Sequence, residues 1–383
     1  MNFNWTGEQK ALRAKYAQFG MEVVAPRAAA CHDQSIFDQV SWTALCGTDF
    51  WRQIVPKVYG GLGSNWWDFT AAAEGLASSL SNGGFLLSVI SQAGFIRGLA
   101  QHGSAAQKEK YFPRLLAGAL SATCIAESHS GSHTPAVRTT VTGPANAWQL
   151  NGEKWNIAHA PIAEILLVVG RIPALGKRDI SLFLLDESHA GITRGPAQNK
   201  MGNRSLPTSW LEFRNVPICE ADLLGPPGDG LRTLQAILAI DRVYYGLLGS
   251  LMVRPALREA HSFLAKRQTG NSPLLEQQHV QRKFADAALA LKQSLWLGRA
   301  ALSQVLESQP QASLSSSAAK LSGAETAIHV ARDMVSLLGS RGYQTGTASR
   351  LLQDALGFLA VGGTEDLHRI NLFNQMQRSA DWF

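Results

Sequence analysis

The spacing of apolar positions changes character twice along the chain. Between residues 8 and 24, Leu12, Tyr16, Phe19 and Val23 recur at three- and four-residue intervals. That spacing predicts an amphipathic helix, with Thr6 ahead of it as its N-cap. Residues 69–80 and 84–99 are apolar on almost every face, which predicts buried helices. The stretch Pro56-Lys57-Val58-Tyr59-Gly60-Gly61-Leu62-Gly63-Ser64 separates these from the earlier helix, and its glycines permit positive φ and close backbone approach. From about residue 121 to residue 230 the pattern shortens. Runs at 148–151, 165–171, 180–185 and 210–213 are β-prone and bounded by Gly, Pro and Asn, predicting a small antiparallel barrel or sandwich. Long segments with few breakers then return at 231–266, 276–307 and 314–338, all predicted as helices, with 313–319 read as a connecting loop and helix start. A glycine-rich break over 339–349 follows, and a last helix is expected from Thr364. The order helical, β, helical, with no internal repeat, predicts an α+β fold. Its expected parts are a helical domain at 1–120, a middle β domain at 121–232 and a helical bundle at 233–383.

A length of 383 residues exceeds what one hydrophobic core usually serves, and 45% apolar with 17% charged residues excludes wholesale disorder. Lysine and arginine number 35 against 29 acidic residues, for a net charge of +6. They form no run of five or six, so a nucleic-acid groove is not expected. The excess suits a small phosphorylated partner such as coenzyme A or the arm of an acidic carrier protein, or serves solubility alone. Cys31, Cys46, Cys124 and Cys219 show neither C-x-x-C nor Cys/His metal spacing, so no disulfide framework or zinc site is expected. The first residues lack a signal-peptide pattern, and apolar runs such as 165–169 are too short to cross a bilayer. A cytoplasmic location without membrane contact is the expectation.

Several segments together resemble the acyl-CoA dehydrogenase superfamily over nearly the whole chain. Residues 56–63 are similar to its P-x-x-y-G-G-x-G loop, and 103–113 to its G-t-e-e-Q-K-e-k-y-L-P segment. Ala126-Glu127-Ser128-His129-Ser130-Gly131-Ser132-His133 stands where the family writes T-E-P-x-A-G-S-D. Leu150-Asn151-Gly152-Glu153-Lys154, expected to precede a strand, resembles l-N-G-x-K, and 200–204 and 223–225 match later signatures. Arg267-Gln268-Thr269 followed by Gln278 resembles R-x-x-F-G and its sequel. Residues 337–343 resemble l-x-G-G-x-G-y, and Gly362-Gly363-Thr364 resembles E-G-T.

The resemblance implies FAD and a reaction that takes a proton from Cα of an acyl thioester and a hydride from Cβ. It implies that backbone at Ile125 and Ala126 touches the flavin ring and that Gly131 and Ser132 hold the pyrophosphate. Arg267, Thr269, Gln278, Leu338 and Gly339 would reach the adenine half from a neighbouring subunit, implying a homodimer or homotetramer. Thr364 and Asp366 would close over the cofactor. No metal is implied. The family's frequent base, a glutamate before Gly-Thr, is replaced by Gly362. The position used by other members, on the first long C-terminal helix, is Asp241, followed by Arg242. A base must come within about 3 Å of its proton, and aspartate is one methylene shorter than glutamate. Burial would raise the pKa of Asp241 and Arg242 would lower it. Where the family writes an aromatic, Ile and Thr beside the flavin, this chain has Asn156, Ile157 and Ala158. Ala158 lacks the hydroxyl that bonds N5, at a cost of about 0.5–1.5 kcal/mol.

The leading expectation is an FAD-dependent oxidoreductase that dehydrogenates an acyl-CoA or acyl-carrier-protein thioester with Asp241 as base, passing electrons to an acceptor or to molecular oxygen. A flavin-dependent oxygenase on the same fold is the alternative, favoured by Gly362, Ala158 and the missing aromatic at 156. A scaffold without catalysis is a third reading. Nucleic-acid binding is not expected, since the chain ends at Phe383, soon after the last helix.

Overall fold

The computed structural model describes residues 4–63, 65–144 and 147–378. Ser64, at the end of the predicted glycine loop, and the first three residues therefore lie outside the described residues. The first helix, α1 (Gly7–Phe19), begins as the sequence predicts. Thr6 Oγ1 accepts from the Gln9 amide at 3.2 Å while Gln9 Oε1 accepts from the Thr6 amide at 3.1 Å. A π-helical turn over Gly20–Val24 carries the chain into α2 (Ala25–Gln34). Next come α3 (Gln39–Cys46), α4 (Trp66–Ala77), α5 (Gly83–His102) and α6 (Ala105–Ala117). In the glycine loop, Gly60 and Gly63 have φ of 88° and 127°, and a Cβ on Gly61 would sit 1.8 Å from the Val55 carbonyl oxygen.

Seven strands form the middle sheet: β1 (Ser121–Cys124), β2 (Thr140–Thr142), β3 (Trp148–Ala158), β4 (Ile165–Arg171), β5 (Ile180–Asp186), β6 (Ile192–Arg194) and β7 (Thr208–Ile218). The expectation of a purely antiparallel sheet is corrected here. Strand β1 runs parallel to β4, and β2 also meets β4 in parallel, while β3–β7, β4–β5, β2–β3 and β6–β7 are antiparallel. The segment 150–154 lies inside β3 instead of preceding a strand. Strands β4 and β5 are apolar at successive positions because both faces are buried. Ile165, Leu167, Leu182 and Leu184 face the helices, whereas Leu166, Val168, Phe183 and Leu185 fill the sheet's own core.

The helical return is α7 (Gly230–Leu251), α8 (Arg254–Leu264), α9 (Gln278–Leu306), α10 (Ala312–Leu338), α11 (Ser340–Tyr343), α12 (Thr347–Gly357) and α13 (Glu365–Met376), with a short hairpin of β8 (Gln268–Thr269) and β9 (Ser272–Pro273) after α8. The predicted helix over 231–266 is broken between α7 and α8, where Pro255 begins a new helix. Residues 313–319 lie wholly within α10. Two stretches, Gly83–His102 and Gly230–Leu264, are long and apolar enough on average to cross a membrane, which contiguous apolar runs did not reveal. Both lie in the core, the second as α7 and α8 together: 89% and 72% of the apolar windows is buried inside the protein.

Buried polar groups tie the parts together. Glu74 on α4 accepts two bonds from the Arg299 guanidinium on α9, at 2.9 and 2.7 Å. Asp354 on α12 accepts from the amides of Gly83 and Asn203 at 2.8 and 2.5 Å, linking α5 and the loop before β7 to the bundle. His159, just past β3, contacts Ser88 Oγ of α5 at 2.8 Å and the Ser121 carbonyl of β1 at 3.0 Å. All four cysteines are free thiols.

Candidate active site at the seam of sheet and helices

Helix α7 packs on β5 of the sheet and on α4, α5, α9 and α10. Asp241 sits in its middle, 5% exposed, with Oδ1 bonded to nothing among the described residues. It faces α5 at Gly94, where a Cβ would lie 1.9 Å from Asp241 Oδ1. Only a residue without a side chain lets the carboxylate stand there. Burial pushes the Asp241 carboxyl well above the usual carboxylate range, with Arg242 and Arg97 pulling against it. An ordinary surface ion pair with Arg242 is not what forms. The Arg242 Nε instead donates to the Gly362 carbonyl at 3.1 Å. The neighbouring cation, Arg97, is spent on the carbonyls of Ala236 and Val305 at 2.8 and 3.3 Å.

The loop that carries Gly362 is held from below. Lys320 of α10, fully buried, donates to the carbonyls of Leu359 and Gly363, both at 3.0 Å. Burial brings its amine down to about 8. A ring nitrogen of His368 lies 3.1 Å from the Gly362 carbonyl and the other 3.0 Å from Ser317 Oγ, with burial lowering the imidazole to about 4. Gly362 has φ of 67°, and a Cβ there would meet Tyr245 Cε2 at 2.6 Å. The ring of Tyr245 thus fills the space a side chain at 362 would need. Thr364 caps α13, its Oγ1 accepting from the Leu367 amide at 3.4 Å, and Asp366 is exposed in that helix's first turn.

On the opposite side of the seam, Ile125 and Ala158 belong to the sheet region but pack on the helical core, as do the half-buried Tyr245 and Val361 from the other side. Ala126 is half-buried, its carbonyl accepting from the Trp155 amide at 2.8 Å. Ile157 points the other way, 3% exposed inside the sheet core, so only its backbone faces outward. Asn156 is exposed with φ of 57°, at an irregularity in the β3–β7 register, and its Oδ1 accepts from Gln198 Nε2 at 2.9 Å. Trp155 stacks on Trp210 at 6.5 Å and 9° beside it. Gly131 and Ser132 are exposed in the turn after β1, and the space above Gly131 is open. That turn is anchored by Glu127, whose carboxylate accepts from Lys154 Nζ at 2.8 Å, the amides of Arg138 and Thr139 at 2.6 and 3.0 Å, and Thr139 Oγ1 at 2.6 Å. Burial alone would raise the Glu127 carboxyl; Lys154 and Thr139 more than offset it.

These residues fit a flavin. Flat apolar contact comes from Ile125 and Ala158, and exposed backbone and hydroxyl groups at 128–132 suit a phosphate. No hydroxyl at 158 is present to meet a ring nitrogen. Nearby, a cleft of 360 Å³ is lined by Pro135, Arg171, Lys177, Arg178, Leu231 and Arg232 among others. Arg171 and Arg178 are paired with Asp179 and Asp229, whereas Lys177 and Arg232 carry no ion pair among the described residues.

The remaining expected residues form a second group. Arg267, Thr269 and Gln278 lie exposed between the end of α8 and the start of α9, and Leu338 and Gly339 end α10. The side chain of Leu338 is buried, 6% exposed, leaving its backbone for contact. Arg341 over the Phe263 ring, at 5.2 Å, brings these helix ends together. No hydrogen bond or ion pair joins this group to the Asp241 site among the described residues. Reading the sequence did not single out Gly94, Tyr245, Lys320 or His368. The one available signal was Tyr245 four residues after Asp241, on the same helix face.

Three family models match the chain: the acyl-CoA dehydrogenase N-terminal domain over residues 6–119, its middle domain over 122–216 and its C-terminal domain over 228–377. Among curated relatives, benzylmalonyl-CoA dehydrogenase of Aromatoleum aromaticum is 29% identical over 375 residues, 97% of this chain and 98% of that protein. Two solved structures share the fold. Butyryl-CoA dehydrogenase of Megasphaera elsdenii superposes with a TM-score of 0.92 at 24% identity, covering 99% of this chain and 100% of that one. The prolyl acyl carrier protein oxidase AnaB superposes with a TM-score of 0.91 at 22% identity, covering 97% and 100%.

Proposed function

The chain belongs to the acyl-CoA dehydrogenase family, and from that premise we propose that it is an FAD-dependent enzyme that α,β-dehydrogenates an acyl thioester with Asp241 as the base. The observation that carries the proposal is the buried Asp241, whose Oδ1 faces Gly94 with no hydrogen-bond partner among the described residues. A buried carboxylate oxygen without a partner is costly to fold and is explained by a proton it must take. When bound, the flavin accepts the hydride lost from Cβ. Asp241 holds the Cα proton; Arg242 braces the Gly362 loop; Lys320 and His368 keep that loop seated.

Site roles follow the same reading. Ile125, Ala126, Ile157 and Ala158 would border the ring, with backbone alone from Ile157. Gly131, Ser132 and Asn156 would lie along the cofactor, with Thr364 and Asp366 at its cover. Arg267, Thr269, Gln278, Leu338 and Gly339 would serve a partner subunit's cofactor in a homodimer or homotetramer. Lys177 and Arg232 suit the phosphates of coenzyme A or of a carrier arm. The relatives named above include enzymes of both thioester kinds. We take the domain boundaries as 1–120, 121–232 and 233–383, and the location as cytoplasmic. The oxygenase reading is favoured by the absent hydroxyl at Ala158, together with Gly362 and the missing aromatic at 156.

Anaerobic mixing of the yellow holoenzyme with acyl-CoA and acyl-carrier thioesters tests both. Bleaching of the flavin is expected, slowed by about 10²–10⁴-fold in Asp241→Asn. Unchanged bleaching in that variant would remove Asp241 from the role of base. Labelled oxygen recovered in the product after air is admitted would support the oxygenase instead.

A further inference from the structure

Arg97 of α5 is a buried cation without a paired carboxylate. The residue is 6% exposed and enters no ion pair among the described residues; Nη1 donates to the Ala236 carbonyl at 2.8 Å and Nη2 to the Val305 carbonyl at 3.3 Å. An arginine does not give up its proton, so the charge is permanent. Inside α7 the Ala236 carbonyl points at the amide of Ile240, the residue before Asp241, so the guanidinium docks beside the turn that leads to the carboxylate. On α5, Arg97 follows Gly94 by three residues and shares its face, and Gly94 is where α5 meets Asp241 Oδ1. A permanent cation and a buried carboxylate thus stand at the same α5–α7 contact without pairing, and Arg97 is second to Arg242 in pulling the carboxyl down against its burial. The other charges on and around α7 are engaged. Arg242 holds the Gly362 carbonyl, and Lys320 of α10 holds those of Leu359 and Gly363. Glu74 of α4 is closed by Arg299 of α9, and Asp186 of β5 by Lys110 and Arg114. His368 of α13 lies between the Gly362 carbonyl and Ser317, and Tyr244 meets Thr70. Burial and Asp241 both raise Tyr245, which stays neutral.

A base must carry its charge and keep an oxygen free. A contact ion pair secures the charge but occupies the oxygen. A buried carboxylate with no cation near it keeps the oxygen free but takes up a proton and stays neutral. A cation held beyond contact distance meets both needs. We propose that Arg97 is a positioning residue for proton abstraction, a fixed counter-charge that keeps Asp241 ionised while its own hydrogen bonds go to backbone carbonyls and leave Oδ1 unoccupied. The inference rests on the reading of Asp241 as the base.

Two titrations of the holoenzyme separate this role from simple packing. The first follows the infrared band of the protonated Asp241 carboxyl, identified as the band that Asp241→Asn removes, and needs no turnover. Arg97→Gln keeps donors for the carbonyls and loses the charge, so its midpoint should move up by about one pH unit or more. Arg97→Lys keeps the charge and should restore the wild-type midpoint. Arg97→Met takes the place of Arg97→Gln if that variant does not fold. The second titration is the pH profile of anaerobic flavin bleaching with acyl-CoA and acyl-carrier thioesters. Its rising limb should move the same way, so that at a pH on the limb Arg97→Gln is slower by about tenfold while the high-pH plateau is kept. An infrared midpoint that the uncharged variants leave in place overturns the proposal, and so does a lowered plateau with an unmoved limb, the mark of lost packing. A midpoint that moves while Asp241→Asn bleaches as fast as the wild type overturns the base reading alone and keeps Arg97 as the counter-charge of Asp241.

Discussion

At the scale of single residues, the site depends on what glycines leave open. A methyl group at position 94 would need the space of Asp241 Oδ1, and the neighbour that must yield is a short buried side chain. Gly94→Ala is therefore expected to cost about 1–3 kcal/mol of stability and to cut the turnover rate out of proportion to that loss. Thermal melting set beside the rate of flavin bleaching separates the two effects. A variant that melts lower but reacts normally would mean that the carboxylate tolerates displacement. The pH dependence has a definite sign. Burial raises the Asp241 carboxyl, and only the ionised form takes a proton, so activity should rise with pH through a limb above the ordinary aspartate range. Asp241 and Arg242 were legible in the sequence through motif position. Gly94 was not, because its importance lies in a contact with a residue far away in the chain, which no local pattern carries.

At the scale of elements, strand β3 shows why legibility varied. Trp148, Trp155 and Ile157 carry strong β propensity, but Asn151, Gly152, Lys154 and Asn156 do not, and pairing with β7 overrides them out to Ala158. Strands β1, β2 and β6 have only three or four residues each, too few to show an alternation. Helix α12 was hidden under the glycine signal before it. The turn at 128–132, proposed above to meet the cofactor, is positioned by the buried Lys154–Glu127 pair joining β3 to the segment after β1. Lys154→Met leaves the Glu127 carboxylate buried without its cation and should destabilise by about 3–5 kcal/mol. Adding Glu127→Gln should recover part of that loss. Denaturant unfolding of the two single variants and the double reads the coupling directly, and simple additivity would show that the pair is not the anchor.

At the scale of the whole molecule, the order of helical, β and helical segments was legible because periodicity changes where the architecture changes. The joints between the parts were not, since each is a buried polar residue with partners in other parts. His159 is one such joint, with α5 on one ring nitrogen and β1 on the other. Burial lowers its pKa from 6.5 to about 4. Between those values the unfolded chain binds a proton that the native state refuses, so stability is complete above pH 6.5 and is lost as the pH falls toward 4. The slope from this one group is about 1.4 kcal/mol per pH unit, and His159→Gln should remove it from the acid limb of a pH-dependent unfolding series. An acid limb of unchanged steepness would place the proton uptake elsewhere. The Asp354 junction has a broader consequence. One carboxylate on α12 receives amides from the start of α5 and from the loop before β7, so three distant stretches of chain share a single keystone. A chimera that borrowed its middle third from another family member would bring a foreign loop to that point, and recombination that respected the domain borders would still have to transplant Asn203 together with its acceptor.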